Sequence, residues 1–217
     1  MHQKIRFKNR EHAGAQLALK LGQYRGAKDA IVVGLARGGV AVAAALGEKL
    51  KLPCDVFVSR KLSSPEDRRC ALGAVTETGV VFIDEAVLST EPWPPRELRL
   101  YIEQELQLRE LEIARRCARY RGGRGVVDFR DQTVIAVDEG AFMGTTFVAA
   151  VQSLRKMGAR YVIGGLPVAP KRAVRQIGPL TDELVVLQAP VKIEDLGDYY
   201  ADFTELSDED IVTCLAT

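Results

Sequence analysis

Residues Thr133–Thr146 read TVIAVDEGAFMGTT, and this stretch decides how the rest of the chain is interpreted. The apolar, β-branched run Val134–Val137 is typical of a strand that is buried on both faces of a sheet. Two carboxylates follow, Asp138 and Glu139, and then a loop bounded by glycines. Apolar residues with the spacing of an amphipathic helix come next; they are Phe147, Ala150, Val151 and Leu154. The stretch therefore predicts a strand, an acidic pair, a tight loop and the start of a helix.

This arrangement suits a phosphorylated sugar. The first turn of a helix has free N–H groups and a partial positive charge, and glycines let the backbone approach an anion closely. Asp138 and Glu139 would repel a phosphate, so we expect them to accept hydrogen bonds from sugar hydroxyls. The pattern predicts ribose 5-phosphate binding, although an acidic residue at a strand end can also simply cap a helix. The expected phosphate-binding residues are Gly140, Ala141, Phe142, Met143, Gly144, Thr145 and Thr146.

A second predicted strand, Ala30–Leu35, also runs into a glycine loop, and a helix over Val40–Leu50 follows. The loop contains Arg37, Gly38 and Gly39 without the spacing of a dinucleotide fingerprint. Backbone N–H groups beside an arginine suit a second phosphate or a pyrophosphate. A plain strand–helix turn is the alternative, but the two loops together favour two phosphate sites on one sheet edge.

These residues resemble the phosphoribosyl-pyrophosphate (PRPP) motif of the type I phosphoribosyltransferases, which runs from an apolar strand through two acidic residues into a short loop. The chain also departs from that pattern. Phe142 replaces a small residue, and Met143 replaces the threonine that usually precedes the glycine. Ala36 stands where related chains have a proline, and Arg69 where they commonly have a glutamate.

The stretch Pro53–Arg60 predicts a third strand, which ends in the basic pair Arg60 and Lys61. The polar, turn-rich segment Leu62–Cys70 predicts a mobile loop. Such a loop, with a basic pair beside it, could close over an anionic substrate, although exposed basic residues are also ordinary surface. Two strands around a Thr-Gly turn, Ala71–Thr78 and Val80–Ile83, predict a hairpin.

The second half of the chain begins with a long, charged helix over Arg96–Arg121, whose leucines lie on more than one face and allow a homodimer. Further strands are predicted at Arg160–Leu166 and Glu183–Leu187, with a break at Pro167–Pro170 between them. A helix over Ser207–Leu215 ends the pattern. Three aromatic residues could stack on an acceptor ring or anchor the C-terminal segment; they are Tyr199, Tyr200 and Phe203. At the other end of the chain a helix is predicted over residues 7–24, capped by Asn9, with no role for Arg10.

Strands that alternate with helices predict an α/β fold in which a mostly parallel sheet lies between helices, with ligands at the carboxyl ends of the strands. The resemblance implies the type I phosphoribosyltransferase fold, with a small hood and a β-hairpin loop, as a single domain over residues 1–217. Residues 85–125 would be a long helical insertion, and residues 188–217 a C-terminal covering segment.

The resemblance also implies an enzyme that transfers ribose 5-phosphate from PRPP to an unidentified acceptor, a nitrogenous base, and releases pyrophosphate. Asp138, Glu139 and Lys61 would be catalytic, whereas Arg37, Gly38, Gly39 and Arg60 would bind pyrophosphate. Magnesium would be bound mainly through PRPP, with no dedicated metal ligands in the protein. A non-catalytic sensor of PRPP or nucleotides, and a hydrolase of phosphoribosyl compounds, remain alternatives.

Composition sets the remaining limits. The chain has 217 residues, 47% of them hydrophobic, and a formal net charge of +1, which argues against a nucleic-acid or membrane partner held by bulk charge. Four scattered cysteines and two histidines make a zinc site improbable and favour reduced thiols in the cytoplasm. The first residues lack the apolar run of a signal peptide, and no run reaches membrane-spanning length.

Overall fold

The computed structural model describes residues 6–68 and 70–216, so the expectation for Arg69 lies outside the described residues. The strands in chain order are β1 (Ala30–Leu35), β2 (Cys54–Phe57), β3 (Ser59–Ser63), β4 (Ala71–Thr76), β5 (Val81–Ile83), β6 (Thr133–Val137), β7 (Tyr161–Val168) and β8 (Glu183–Gln188). The α-helices are α1 (Arg10–Lys20), α2 (Gly38–Leu50), α3 (Glu85–Leu88), α4 (Pro95–Arg121), α5 (Thr145–Lys156), α6 (Lys171–Ile177) and α7 (Asp208–Leu215).

Five strands form the main sheet in the order β2-β1-β6-β7-β8, and every neighbouring pair is parallel. The strand order reverses between β1 and β6, which places the carboxyl ends of these two strands side by side. The predicted α/β architecture with a parallel sheet is confirmed.

Helices cover both faces of this sheet because successive side chains of a strand point to opposite faces. On one face, Leu17 of α1 and Leu46 of α2 pack against Val32 and its neighbours. On the other face, Phe147 of α5 packs in the cluster that contains Val33. β1 and β6 are therefore buried along their whole length, as the sequence predicted.

A second, antiparallel sheet contains β3, β4 and β5. The expected strand Pro53–Arg60 is wrong in this respect, because the chain divides it between β2 of the main sheet and β3 of the small one. The backbone N–H of Val58 lies between the two strands and donates to Glu77 Oε2 over 2.8 Å. The predicted hairpin is confirmed as the β4–β5 pair, and β3 extends through Ser63 into the expected loop.

Other elements also differ from the sequence prediction. The N-terminal helix begins at Arg10 instead of Phe7, because the Phe7 backbone pairs with Tyr200 as an isolated β-bridge. Asn9 caps that helix as expected, accepting from the His12 N–H over 2.9 Å. β7 runs through Pro167 to Val168, and the short helix α3 was not predicted.

The long helix α4 agrees with its prediction and begins with Pro95 in its first turn. Its exposed leucines are Leu100, Leu108 and Leu111. A homodimer through this face stays a prediction. In the part of the chain that the structure describes, no helix has the length and apolar character needed to cross a membrane.

Candidate functional site

The two predicted glycine loops lie side by side where the strand order of the main sheet reverses. Gly34 of β1 is paired with Val137 of β6 close to the carboxyl ends of both strands. A Cβ atom on Gly39 would lie 2.7 Å from the Val137 carbonyl oxygen and 3.0 Å from Asp138 Oδ1, so glycine is needed for this approach. Ligands of open α/β sheets bind in the crevice at such a reversal.

The Arg37 loop presents backbone donors and one cation at this edge. The helix α2 begins at Gly38, and the N–H groups of its first turn have no acceptor within the helix. The Ala36–Arg37 peptide bond is cis. The Arg37 guanidinium is partly exposed and forms an ion pair with Glu205. Backbone N–H groups and an arginine are suitable partners for phosphate oxygens.

The two carboxylates that follow β6 have different surroundings. Asp138 accepts a hydrogen bond from the Glu139 N–H over 2.8 Å. Burial, followed by the charge of Glu139, raises the pKa of Asp138 well above its usual value. The Glu139 carboxylate instead forms an ion pair with Arg10 and lies against the α-carbon of Gly38. The acidic pair therefore combines a carboxyl that favours its neutral form with one that is held by a cation.

The Gly140–Thr146 loop is anchored at its start, where the Ala141 N–H donates to the Val168 carbonyl over 2.9 Å. Gly144 precedes α5 with a φ of +85°, a conformation that favours glycine. No side chain caps this helix, so the N–H groups of its first turn are available to a ligand. The loop therefore has the backbone geometry of an anion-binding site.

The two departures from the family loop pattern lie in different places. The Phe142 side chain is 46% exposed. Met143 instead packs against the cluster that contains Val87 and Leu98, and its sulfur lies 3.8 Å from Arg172 Nη1. Met143 therefore connects the loop to the helices α3 and α4.

Arg60 and Lys61 are successive residues of β3, so their side chains leave opposite faces of the small sheet. The sequence placed this pair at the end of a main-sheet strand, which is wrong. Arg60 Nε lies 3.1 Å from Glu112 Oε2 on α4. Lys61 Nζ donates to the Arg68 carbonyl over 2.7 Å, and burial together with Arg60 lowers the pKa of Lys61. Lys61 is therefore the member of the pair that contacts the loop after β3.

Arg10 is a site residue that sequence reasoning missed. Its guanidinium contacts Glu139, and Arg10 Nη1 donates to the Thr204 carbonyl over 2.8 Å. One signal was available, because a cation in the first turn of α1 opposes the helix dipole and needs a partner elsewhere.

The aromatic residues near the C-terminus anchor the segment that contains them. The Tyr200 and Phe203 rings stack with centroids 4.8 Å apart, and the Tyr200 hydroxyl donates to the Glu139 carbonyl over 2.5 Å. Arg10 Cζ lies 4.2 Å from the centre of the Phe203 ring. Tyr199 is buried as well. Of the two sequence interpretations, the structure supports anchoring.

A cavity of about 340 Å³ opens between this segment, the Arg37 loop and Glu139. Its volume is at the lower end of the range for small-molecule sites. The lining residues are Arg10, Arg37, Gly38, Glu139, Phe203, Glu205 and Leu206. The cavity thus connects residues of the Arg37 loop with one of the two carboxylates.

Comparison with known proteins agrees with this geometry. Residues 6–177 match the model of the phosphoribosyl transferase domain. The crystal structure of TT1426 from Thermus thermophilus is 34% identical, with a TM-score of 0.78, and the match covers 97% of this chain and 98% of that one.

Two curated relatives, MT0597 and Rv0571c, come from two strains of Mycobacterium tuberculosis. Both are provisionally named phosphoribosyl transferases. Each is 34% identical over 209 residues, which are 96% of this chain and 46% of the relative. The chain thus spans about half the length of these relatives. The matched domain, the parallel sheet and the paired glycine loops lead to one conclusion: this chain belongs to the phosphoribosyl transferase domain family.

Proposed function

We propose that this protein transfers ribose 5-phosphate from PRPP to an acceptor and releases pyrophosphate. The observation that carries the proposal is the contact between the two loops, in which the Glu139 carboxylate lies against Gly38. PRPP has a 5-phosphate, a diol and a pyrophosphate within one small molecule. The helix start at Thr145, the acidic pair and the Arg37 loop offer a partner for each of these groups.

In this reaction the bond between ribose C1 and the pyrophosphate oxygen breaks, and its electron pair leaves with pyrophosphate. The acceptor nitrogen supplies the electron pair of the new bond to C1 and loses a proton. Asp138 and Glu139 would hold the ribose hydroxyls and stabilise positive charge that develops on the sugar. Arg37, Gly38 and Gly39 would bind pyrophosphate, and Lys61 would neutralise its charge as it leaves, whereas Arg60 is already paired with Glu112. Stabilisation of the transition state by preorganised charges is usually what accelerates an enzymatic reaction most.

Family membership implies magnesium together with PRPP. Among the described residues, no group of three or more His, Cys, Asp or Glu could hold a metal ion by itself. The adjacent Asp138 and Glu139 are oxygen ligands suited to Mg²⁺, and substrate phosphates commonly supply its other ligands. The ion would neutralise charge on the pyrophosphate and would be bound mainly through PRPP itself.

We propose that the acceptor is a nitrogenous base that enters through the cavity beneath the C-terminal segment. This cavity adjoins Glu139 and Arg37, which would contact the ribose and the pyrophosphate. Phe203 already contacts Tyr200 and Arg10, so the base would be recognised there by charged and polar groups more than by stacking.

Thermal unfolding with PRPP and magnesium tests the proposal, with ribose 5-phosphate and nucleoside monophosphates as controls. A ligand at about 100 times its dissociation constant adds about 2.7 kcal/mol to the unfolding free energy. At about 2–4 °C per kcal/mol, this is a shift of several degrees. A shift with PRPP, followed by acceptor-dependent release of pyrophosphate, supports the transferase. No shift with PRPP at any concentration overturns it.

The second candidate is a sensor of the same fold that binds PRPP or a nucleotide without transfer. The observation that favours it is the loop itself, where Met143 replaces a hydroxyl donor and packs against the insertion. A shift with a nucleotide but not with PRPP would favour this function. Release of pyrophosphate from PRPP without an acceptor would instead favour a hydrolase that uses water.

A further inference from the structure

Arg10 joins three parts of the chain at the candidate site. Its side chain is 9% exposed, and Nε forms the ion pair with Glu139 Oε2. Nη1 binds the Thr204 carbonyl, and the guanidinium lies over the Phe203 ring. A buried arginine with three partners from distant segments has a fixed position, because each contact restricts the same planar group.

Arg10 lies beside a carboxylate that would otherwise repel an anion in the Arg37 loop. Asp138 and Glu139 are adjacent carboxylates, and Glu139 lies against Gly38 in the loop proposed to bind pyrophosphate. The negative charges of Glu139 and of a bound pyrophosphate would repel each other, and this repulsion is stronger where water is partly excluded. Arg37, the cation of that loop, is already paired with Glu205. An anion could enter beside Glu139 at much lower cost if that carboxylate had its own counter-ion.

We propose that Arg10 is this counter-ion: it neutralises Glu139 and holds the carboxylate against Gly38, so that a pyrophosphate group can bind beside the acidic pair. Arg10 acts through Glu139 and is therefore a positioning residue. The inference rests on the proposed function, because it assumes that the Arg37 loop binds pyrophosphate. The ligand that tests it is inorganic pyrophosphate with magnesium, whereas PRPP tests the proposed function.

The experiment measures the dissociation constant of magnesium pyrophosphate by calorimetry for four proteins: wild type, Arg10→Gln, Glu139→Gln and the double variant. Arg10→Gln should weaken binding about tenfold or more, the effect of roughly 1.4 kcal/mol. In the Glu139→Gln background, Arg10→Gln should change the dissociation constant by less than about threefold, because the effects of two interacting residues are not additive. Arg10→Lys keeps the charge without the planar fork and should recover part of the affinity.

Arg6→Gln is the matched control. Arg6 Nε donates to the Tyr200 carbonyl over 3.0 Å, so Arg6 also holds the C-terminal segment, but through a backbone carbonyl instead of the Glu139 carboxylate. We expect Arg6→Gln to leave the pyrophosphate affinity within about twofold of wild type. Circular dichroism and thermal unfolding of every variant establish that each one is folded before its affinity is compared.

Three results would overturn the inference. Equal losses in Arg6→Gln and Arg10→Gln would show that Arg10 only tethers the segment. The same loss from Arg10→Gln with and without Glu139 would show that the two charges act independently. If the wild-type protein does not bind pyrophosphate, Arg10 cannot have the proposed role in the binding of this anion. If wild type binds pyrophosphate but not PRPP, the proposed function fails while the charge role of Arg10 stands.

Discussion

The Glu139 carboxylate occupies the space that a side chain on Gly38 would need, although the two residues come from different strand ends. Gly38→Ala should therefore displace Glu139 from Arg10 and disturb both loops at once. We expect PRPP affinity to fall at least about tenfold, which corresponds to roughly 1.4 kcal/mol. Isothermal calorimetry with PRPP and magnesium measures this.

Gly22→Ala is the control for that substitution, because a Cβ atom there would meet nothing within 4 Å. It should leave PRPP affinity unchanged. Equal affinities of wild type and Gly38→Ala would contradict the prediction, since the contact would then have no bearing on the ligand.

Asp138→Asn should make the protein more stable at neutral pH while it removes turnover. The raised pKa of Asp138 means that the folded state binds its proton more tightly than the unfolded state does. Stability contributed by this group is thus present at low pH and is lost as pH rises from the ordinary carboxyl value through the raised one. The amide has no charge to bury and can still accept from the Glu139 N–H.

Melting temperatures of wild type and Asp138→Asn, measured side by side from pH 4 to pH 9, check this prediction. The variant's advantage should grow with pH and then level off, at about 2–4 °C for each kcal/mol. If the variant melts at or below the wild-type temperature at pH 8, burial of the Asp138 charge does not destabilise the protein, and the prediction is wrong.

Met143→Thr should separate two roles of one residue. The loss of apolar contact with the cluster of Val87 and Leu98 should lower the unfolding free energy by about 1 kcal/mol. The new hydroxyl adds a donor beside the start of α5, so PRPP affinity should rise severalfold. Urea unfolding and calorimetry measure the two effects independently.

Met157→Thr is the matched control for Met143→Thr. Met157 is also partly buried, but it packs against the main-sheet cluster at the far end of α5. It should lose similar stability without a gain in affinity. Weaker PRPP binding by Met143→Thr would mean that Met143 is an adapted part of the loop and that the missing hydroxyl is no defect.

Glu77 and Arg121 form a buried ion pair, with side chains 2% and 6% exposed and Arg121 Nη2 2.5 Å from Glu77 Oε1. Glu77→Ala would leave the Arg121 charge and the Val58 N–H without this partner. We expect a loss of about 3–5 kcal/mol in the unfolding free energy. Glu194→Ala removes an exposed pair with Lys192 and should cost less than about 1 kcal/mol in the same urea titration. If both variants lose a similar amount of unfolding free energy, the buried pair does not contribute more to stability than the exposed one, which contradicts the prediction.

The sequence predicted those parts of the fold that depend on short-range patterns. The strand, acidic pair and helix around Asp138 occupy consecutive residues, and so do β1 and α2 around Arg37. Because both loops follow parallel strands, their shared sheet edge could be predicted as well. The α/β fold and the family are confirmed, whereas the roles of the individual site residues stay predictions.

What could not be predicted depends on residues far apart in the chain. Arg10 and Thr204 are 194 positions apart, and no local pattern indicates their hydrogen bond. The division of Pro53–Arg60 between two sheets could not be predicted either, because residues that favour strands suit either sheet equally. At the point of division the Val58 N–H donates to Glu77, which is again a tertiary contact.

The contact between the two ends of the described chain has a consequence for the order in which the site forms. A ribosome makes Arg10 long before Thr204, and domains fold as the chain emerges. The main sheet can assemble once β8 is made, but Glu139 and Arg10 are covered only after Phe203 and Thr204 have been added. Contacts of such long sequence separation form slowly. The candidate pocket therefore forms later than the main sheet, and a chain that stops short of Tyr200 would have a folded sheet with an open, charged edge.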